Sequence, residues 1–410
     1  MLALIALRNL ARNRRRTWLS LLVVSFGGAG LLLTAGFVRY SFDGLREALI
    51  HSGLGHLEVA PTGEGTAATP PGERAGRPPG FSDWSAARTL IESRPHVRAA
   101  GAAIQFAGVA TNGERSAAVL GLAVEPDRER RIGVDVKLRG GQNLPERAPD
   151  EGADPVLLGA GLARALGVGP GDTIAVMAAT ADGSLNALDL NVVGIFSTGF
   201  QELDGRILKT HVATAERLLG TANITSLVVG LDTTLATGAV AEDLRHTLSP
   251  RLVVSDWQAR APFYGQVRAL YVGIFVFMGT IVAVLVALSS SNTLLMSVLE
   301  RVREFGTLLA IGTSRAQLAG LLLLEALWLA FFGALSGSAL GMGLSALIDA
   351  IGIEMPPPPA AVDPMLLAVR VVPSDFLWTC AFMVVVLTVA AVPPILRILR
   401  LKIVDALGHV

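Results

Sequence analysis

Histidines, acids, lysines and cysteines are the residues from which a catalytic or metal site would be assembled, and in this chain they do not converge. His51 and His56 are five apart, and His96, His211 and His246 are scattered without the spacing of a metal site. Surface or capping positions are the expectation for them. Asp182, Asp189 and Asp204 have no neighbour that sequence identifies as a matching acid or base. There is no G-x-S-x-G elbow. Lysine occurs only at 137, 209 and 402, never after a G-x-x-x-x-G loop, so the chain cannot cradle ATP in a P-loop. ATP, if used, is hydrolysed by another subunit. Cys380 is the single cysteine, which excludes an intrachain disulfide. Neither cofactor nor metal is expected, and the formal net charge of zero gives no reason to expect nucleic acid.

What the charges do instead is segregate. Arg8, Arg12, Arg14, Arg15 and Arg16 precede one long apolar run, Arg301, Arg303 and Arg315 lie between two others, and Arg397, Arg400 and Lys402 follow a fourth. Runs of about 20 apolar residues are long enough to cross a bilayer, and excess Lys/Arg marks the cytoplasmic side. The pattern predicts an integral membrane α-helical protein, four transmembrane helices in a 1+3 layout, with both termini in the cytoplasm. The expected spans are residues 18–38, 267–291, 318–348 and 376–396. Residues 1–17, 292–317 and 397–410 are then cytoplasmic, and 39–266 and 349–375 lie outside. A cleaved signal peptide competes for the first run, but the run is too long for a usual signal core and no small-x-small cleavage site follows. Residues 2–16 place Leu, Ile and Ala on one side of a helix and Arg on the other. That suits a segment lying on anionic lipid, or a plain topology signal.

Three features inside the spans stand out. Gly333, Gly337 and Gly341 are four apart and line one helix face, where a second helix can approach closely; glycine abundance in the chain is the alternative explanation. Glu325 is an acid within a span, a functional candidate by default, or a structural one that snorkels or pairs with Arg315. Pro393-Pro394 should kink or stop the last helix.

Between the first two runs the hydropathy falls. Short β-branched or small-residue segments at 57–59, 108–110, 117–120, 173–176 and 190–195 read as strands, and 85–93, 159–166, 211–219 and 240–248 read as helices. The mixture predicts a large α+β extracytoplasmic domain inserted between helices 1 and 2, held by its core alone. A Pro/Gly/Thr/Arg stretch at 61–79 reads as a mobile loop, and the proline run at 356–359 as a stiff extended segment.

The segment 292–317 (NTLLMSVLERVREFGTLLAIGTSRAQ) carries V-x-E-R-x-x-E-x-G after an Asn and resembles the second-span exit of ABC transporter permeases of the FtsX/MacB type. The Leu7-Arg8-Asn9-Leu10 opening, 161–174 (GLARALGVGPGDTI), 193–204 (VGIFSTGFQELD) and 402–407 (KIVDAL) are similar to that family as well. Residues 52–59 (SGLGHLEV) and 194–204 look most like its lipoprotein-release branch. The resemblance implies a permease paired with a second permease chain, as homo- or heterodimer, and with a cytoplasmic ABC ATP-binding subunit. Closure of that subunit would be transmitted to a periplasmic core domain that releases lipoprotein or other amphipathic cargo, all in the inner membrane. It further implies that Glu300, Arg301, Arg303, Glu304, Phe305 and Gly306 belong to an ATPase-coupling helix. Charges three and four apart would stabilise such a helix, while Leu308, Leu309 and Ile311 give it an apolar side. An ordinary solvated loop is the plain alternative. Phe305 stands where an Ile is often seen before the Gly. A signalling scaffold controlling a cell-wall enzyme is the rival function, and an anchored exterior enzyme a third.

Overall fold

The computed structural model describes residues 2–12, 14–62, 80–134, 136–147, 152–199, 201–248, 250–355 and 365–400. The loop expected at 61–79, the proline run and the 402–407 signature lie largely or wholly outside them. The chain divides into a unit of long helices and an inserted unit built on Gly44–Val267.

Among the described residues, four helices are long and apolar enough to cross a membrane. The first runs over Arg14–Leu49, the second over Pro262–Glu300 and the third over Arg315–Ile351. At about 1.5 Å per residue each exceeds the roughly 30 Å hydrocarbon layer, so each continues past the apolar stretch that hydropathy detects. The third begins at a capping box, in which Ser314 Oγ accepts from the Gln317 N–H and Gln317 Oε1 accepts from the Ser314 N–H. It ends on Gly352 in the left-handed region. The fourth, Pro373–Ala390, stops two residues before Pro393-Pro394, and a new helix, Val392–Leu399, carries both prolines in its first turn. Proline has no N–H for the preceding turn, so the helix breaks there and restarts.

The helical unit is held by small residues and apolar side chains. Gly333, Gly337 and Gly341 face Val24, Ser25, Ala29 and Leu32 of the first long helix at near-contact distance. Beside them, Val24, Val286, Leu329, Ala330, Ala334, Met383, Val386 and Leu387 form a buried cluster. Ser25 and Ser336 share a 2.6 Å hydrogen bond across the same joint. Arg39 grips Asp375, at the start of the fourth helix, with two hydrogen bonds of 2.6 and 3.1 Å. The second long helix leaves Leu270, Val276, Phe277, Leu285 and Leu288 exposed in the single chain.

The inserted unit is a mixed sheet with helices packed on it. Its strands are β1 Leu57–Pro61, β2 Val97–Thr111, β3 Ser116–Val124, β4 Lys137–Gly141, β5 Asp154–Gly159, β6 Thr173–Ala179, β7 Leu185–Ser197, β8 Ile207–His211, β9 Ser226–Leu231 and β10 Leu252–Asp256. Their order is β10-β1-β9-β2-β3-β8-β5-β7-β4, with β6 beside β2 and β7. The β3–β8 and β5–β7 pairs are parallel; the others are antiparallel. Helices Trp84–Glu92, Ala160–Leu166, Val212–Leu219 and Thr237–Thr247 supply Ile91, Leu162, Leu166, Leu218 and Leu244 to one continuous core. Strands β4, β5, β8, β9 and β10 are absent from the sequence expectation. The reason is plain in β5 and β8, whose residues are buried throughout and therefore do not alternate. In β8 the burial extends to Lys209, which is neutralised by Glu129 at 2.7 Å.

Candidate functional site

The second and third long helices are joined through a short helix, Val302–Ala310. Two breaks isolate it. Arg301 leaves helical geometry (φ −109, ψ 14), and Gly312 takes φ 100, a conformation that side chains rarely adopt. The Gly312 and Thr313 N–H groups then bond back to the Leu309 and Leu308 carbonyls, closing the helix.

Its two sides differ sharply. Val302, Phe305 and Gly306 are buried, and Phe305 packs with Val298, Leu318, Leu322 and Ile398, with Leu308 and Leu309 alongside. The opposite side presents Arg303, Glu304, Thr307 and Ala310, continued by Glu300 before it and by Ile311, 75 % exposed, after it.

Arg301 belongs to the inner side. Its side chain is 10 % exposed, and its Nη1 donates to Glu325 Oε1 at 3.3 Å. Its Nε donates to Glu304 Oε2 at 2.9 Å, and its guanidinium lies 5.0 Å from the centre of the Phe305 ring. Glu325, 4 % exposed at its side chain, accepts a second hydrogen bond on the same oxygen, from Asn9 Nδ2 at 2.7 Å. Asn9 lies on the first helix of the chain, Leu2–Arg12. One carboxylate thus joins that helix, the short helix and the third long helix. Pairing of Glu325 with Arg315 is corrected here: ten residues along a helix is a rise of about 15 Å, beyond side-chain reach. The six residues grouped on one coupling helix therefore separate. Arg301, Phe305 and Gly306 are turned into this chain, and Glu300, Arg303 and Glu304 are turned out of it. The Asn9–Glu325 contact had no signal in the sequence beyond the placement of an acid in an apolar run.

In the inserted unit Asp204 and His56 both accept backbone N–H groups. Asp204 accepts from Ser197 Oγ at 2.7 Å and from the Thr198 N–H and Oγ1 at 2.6 Å each, closing the turn after β7. Asp182 is exposed, and the Thr180 and Ser184 hydroxyls hold its carboxyl below the usual range. His56 is buried. Its Nδ1 accepts from the Leu231 N–H at 3.2 Å and its Nε2 faces Thr234 Oγ1 at 3.3 Å, and burial pushes its pKa down. Burial likewise raises the Glu216 carboxyl, with Glu125 adding to it. No group of three His, Cys, Asp or Glu side chains that could hold a metal occurs among the described residues.

Spanning-length helices placed one before and the rest after a large folded domain, with a sealed short helix between the second and third, define a multi-pass membrane protein of permease architecture. The chain belongs to the MacB-like periplasmic core domain family, whose model matches residues 17–247; the FtsX-like permease C-terminal model matches 274–403. It is therefore a membrane permease of the LolC/MacB-like type. It is 24 % identical over 365 residues to the lipoprotein-releasing system transmembrane protein LolC of Neisseria meningitidis serogroup B, covering 83 % of this chain and 81 % of that protein. It is 26 % identical over 199 residues to the macrolide export ATP-binding/permease protein MacB of an Azoarcus species, covering 43 % of this chain and 30 % of that one. The crystal structure of the periplasmic region of MacB from Actinobacillus actinomycetemcomitans aligns with a TM-score of 0.36 at 16 % identity, over 51 % of this chain and 92 % of that one.

Proposed function

We propose that this chain is the membrane subunit of an ABC-type mechanotransmitting transporter of the inner membrane, with both termini in the cytoplasm. A separate cytoplasmic ATP-binding subunit docks on the outer side of the Val302–Ala310 helix. Nucleotide-driven closure moves the long helices, and they move the periplasmic core domain. A second permease chain completes the membrane part. The cargo class is a lipoprotein or another amphipathic molecule, a reading that the similarity to LolC supports.

The observation that carries this reading is the two-sidedness of the short helix. A solvated linker has no reason to bury Phe305 completely and to fix Arg301 on a span carboxylate while leaving Ile311 uncovered among Glu300, Arg303 and Glu304. A helix with one side built into the bundle and one mixed charged and apolar side left open is what a partner needs to push on. The sequence also contains no G-x-x-x-x-G-K-[ST], which agrees with hydrolysis in another chain.

The test is capture from native membranes solubilised in mild detergent, read with an ATP photoaffinity probe. Wild-type chain is expected to retain an ATP-binding subunit. Glu300→Lys/Glu304→Lys, which reverses two outward charges and leaves the buried side intact, is expected to lose it. Absence of any ATP-binding subunit from folded wild-type chain would sink the transporter reading and favour a signalling scaffold.

A further inference from the structure

The inserted domain is attached to the long helices at two places, and both are irregular. Leaving the first helix, the chain makes a π-turn over Ile50–Leu54 in which Gly53 has φ 117. Gly55 follows at φ 67, where a Cβ would stand 2.5 Å from Val228 Cγ1 and 3.1 Å from the Val229 carbonyl oxygen. Then β1 begins. At the other end β10 runs into the short helix Trp257–Arg260, Ala261 leaves helical geometry (φ −121, ψ 65), and Pro262 opens the second long helix. π-turns and breaks of this kind allow a chain to change direction. Two of them in series with two long helices would leave the domain on loose hinges.

They are not independent. β1 and β10 are antiparallel neighbours at one edge of the sheet, in register from Leu57↔Asp256 to Pro61↔Leu252. Arg260, the last residue before the second break, has its side chain 6 % exposed. Its Nε lies 2.9 Å from Glu58 Oε2, and Glu58 is 1 % exposed. The Arg260 Nη1 also donates to the carbonyl of Leu54, the last residue of the π-turn. Glu58 Oε1 accepts from Ser226 Oγ of β9 at 2.6 Å, and the Trp257 N–H donates to the His56 carbonyl at 3.2 Å. The Trp257 ring meets Tyr264 of the second long helix edge-on at 4.8 Å. A single guanidinium therefore bridges the first junction, the strand that follows it and the second junction.

A buried ion pair is a poor way to gain stability, because desolvating two charges cancels most of their attraction; an apolar pair of similar volume serves as well. What it supplies is fixed geometry. The planar guanidinium presents its donors in fixed directions, which restricts where the carboxylate and the carbonyl can sit relative to each other. We propose that Arg260 is the pin of a clasp that holds the two helix-to-sheet junctions together as one body, so that motion of the first two long helices is passed on to the domain rather than being absorbed in the hinges. Arg260 and Glu58 are positioning residues for the motion described under Proposed function, on which this inference rests.

The test uses the full chain, with Cys380→Ser, in nanodiscs together with whatever ATP-binding subunit it captures. Spin labels on Leu185→Cys in the domain and Leu270→Cys on the second long helix report their separation with and without nucleotide. Hydrogen exchange is followed at the two junctions. The decisive variant is Glu58→Met/Arg260→Met, which leaves no unpaired buried charge and should lower the melting midpoint far less than either single substitution to Met. With Arg260→Lys beside it, the clasp predicts faster exchange at both junctions, by about tenfold or more in the Met/Met variant, which loses the guanidinium's bonds to Glu58 and the Leu54 carbonyl and the Ser226 bond to Glu58, any one of which is enough for tenfold. The label distance should broaden, and the nucleotide-driven shift should shrink although ATP-binding-subunit capture is unchanged; Arg260→Lys should fall between. A Met/Met variant with wild-type exchange, a narrow distance and a full shift would overturn the proposal. A wild-type chain with no nucleotide-dependent shift would overturn the transporter reading instead, and the exchange and nucleotide-free distance would still decide the clasp.

Discussion

Substituting the glycine row of the third long helix one residue at a time should give a graded series whose order follows from the atoms opposite each position. At Gly337 an added Cβ would stand 2.7 Å from the Ser25 carbonyl oxygen, 3.1 Å from Ser25 Cα and 3.3 Å from Ser25 C. All three are backbone, so the two helices must separate, and overpacking of this kind costs about 1–3 kcal/mol. At Gly333 the obstacle is Val24, with Cγ1 at 2.3 Å and Cβ at 2.8 Å. A χ1 rotation would move Cγ1 but not Cβ, and valine in a helix has one strongly preferred rotamer. At Gly341 the nearest atom is the tip of Leu32, Cδ2 at 3.1 Å, which can yield. Gly343 has nothing within 4 Å, so alanine there should gain the helix-propensity difference of about 0.5–1 kcal/mol. Thermal unfolding of the full chain in detergent, followed by tryptophan fluorescence, should rank the alanine variants Gly337 and Gly333 least stable, Gly341 near wild type and Gly343 at or above it. If Gly337→Ala is as stable as Gly343→Ala, the close helix approach inferred for this face is wrong.

Two further outcomes can be checked with the same preparation. Glu325→Ala should lower the melting midpoint strongly, because removing one partner of a buried pair costs about 3–5 kcal/mol, whereas Arg301→Met/Glu325→Met should recover most of it. The second concerns pH. The Leu231 N–H pins His56 in the tautomer with a free Nδ1, and burial depresses its folded pKa below the unfolded value of about 6.5. Its contribution is then fully present above the unfolded value and is lost as pH falls through the folded one. Acidification from neutral pH should loosen the periplasmic core domain, read as hydrogen exchange in β1 and β9, and His56→Gln should flatten that dependence.

How far the fold could be read in advance depended on how local its causes are. Strands β1, β3, β6 and β7 carry their own propensity and turn residues, and so do the helices at Trp84–Glu92 and Val212–Leu219. Strands β5 and β8 do not, since burial on both faces removes alternation and β8 even ends in Lys209, Thr210 and His211. At the candidate site, the V-x-E-R-x-x-E-x-G run pointed to a helix with charged and apolar residues, but not to which charges face inward. Helical spacing alone places Arg301 and Glu304 near each other, and only Glu325 opposite explains why Arg301 turns inward and Glu304 stays at the rim.

The sequence by itself determined the number of spanning segments, the helix-terminating prolines and the absence of a P-loop. These follow from bilayer thickness, backbone chemistry and motif spacing, all of which act within one short stretch of chain. Only the tertiary structure decided the polar joints. Asn9 reaches Glu325 across 316 positions and Arg260 reaches Leu54 across 206. A buried charge must find a partner wherever the fold brings one, and no local pattern records which residue that will be.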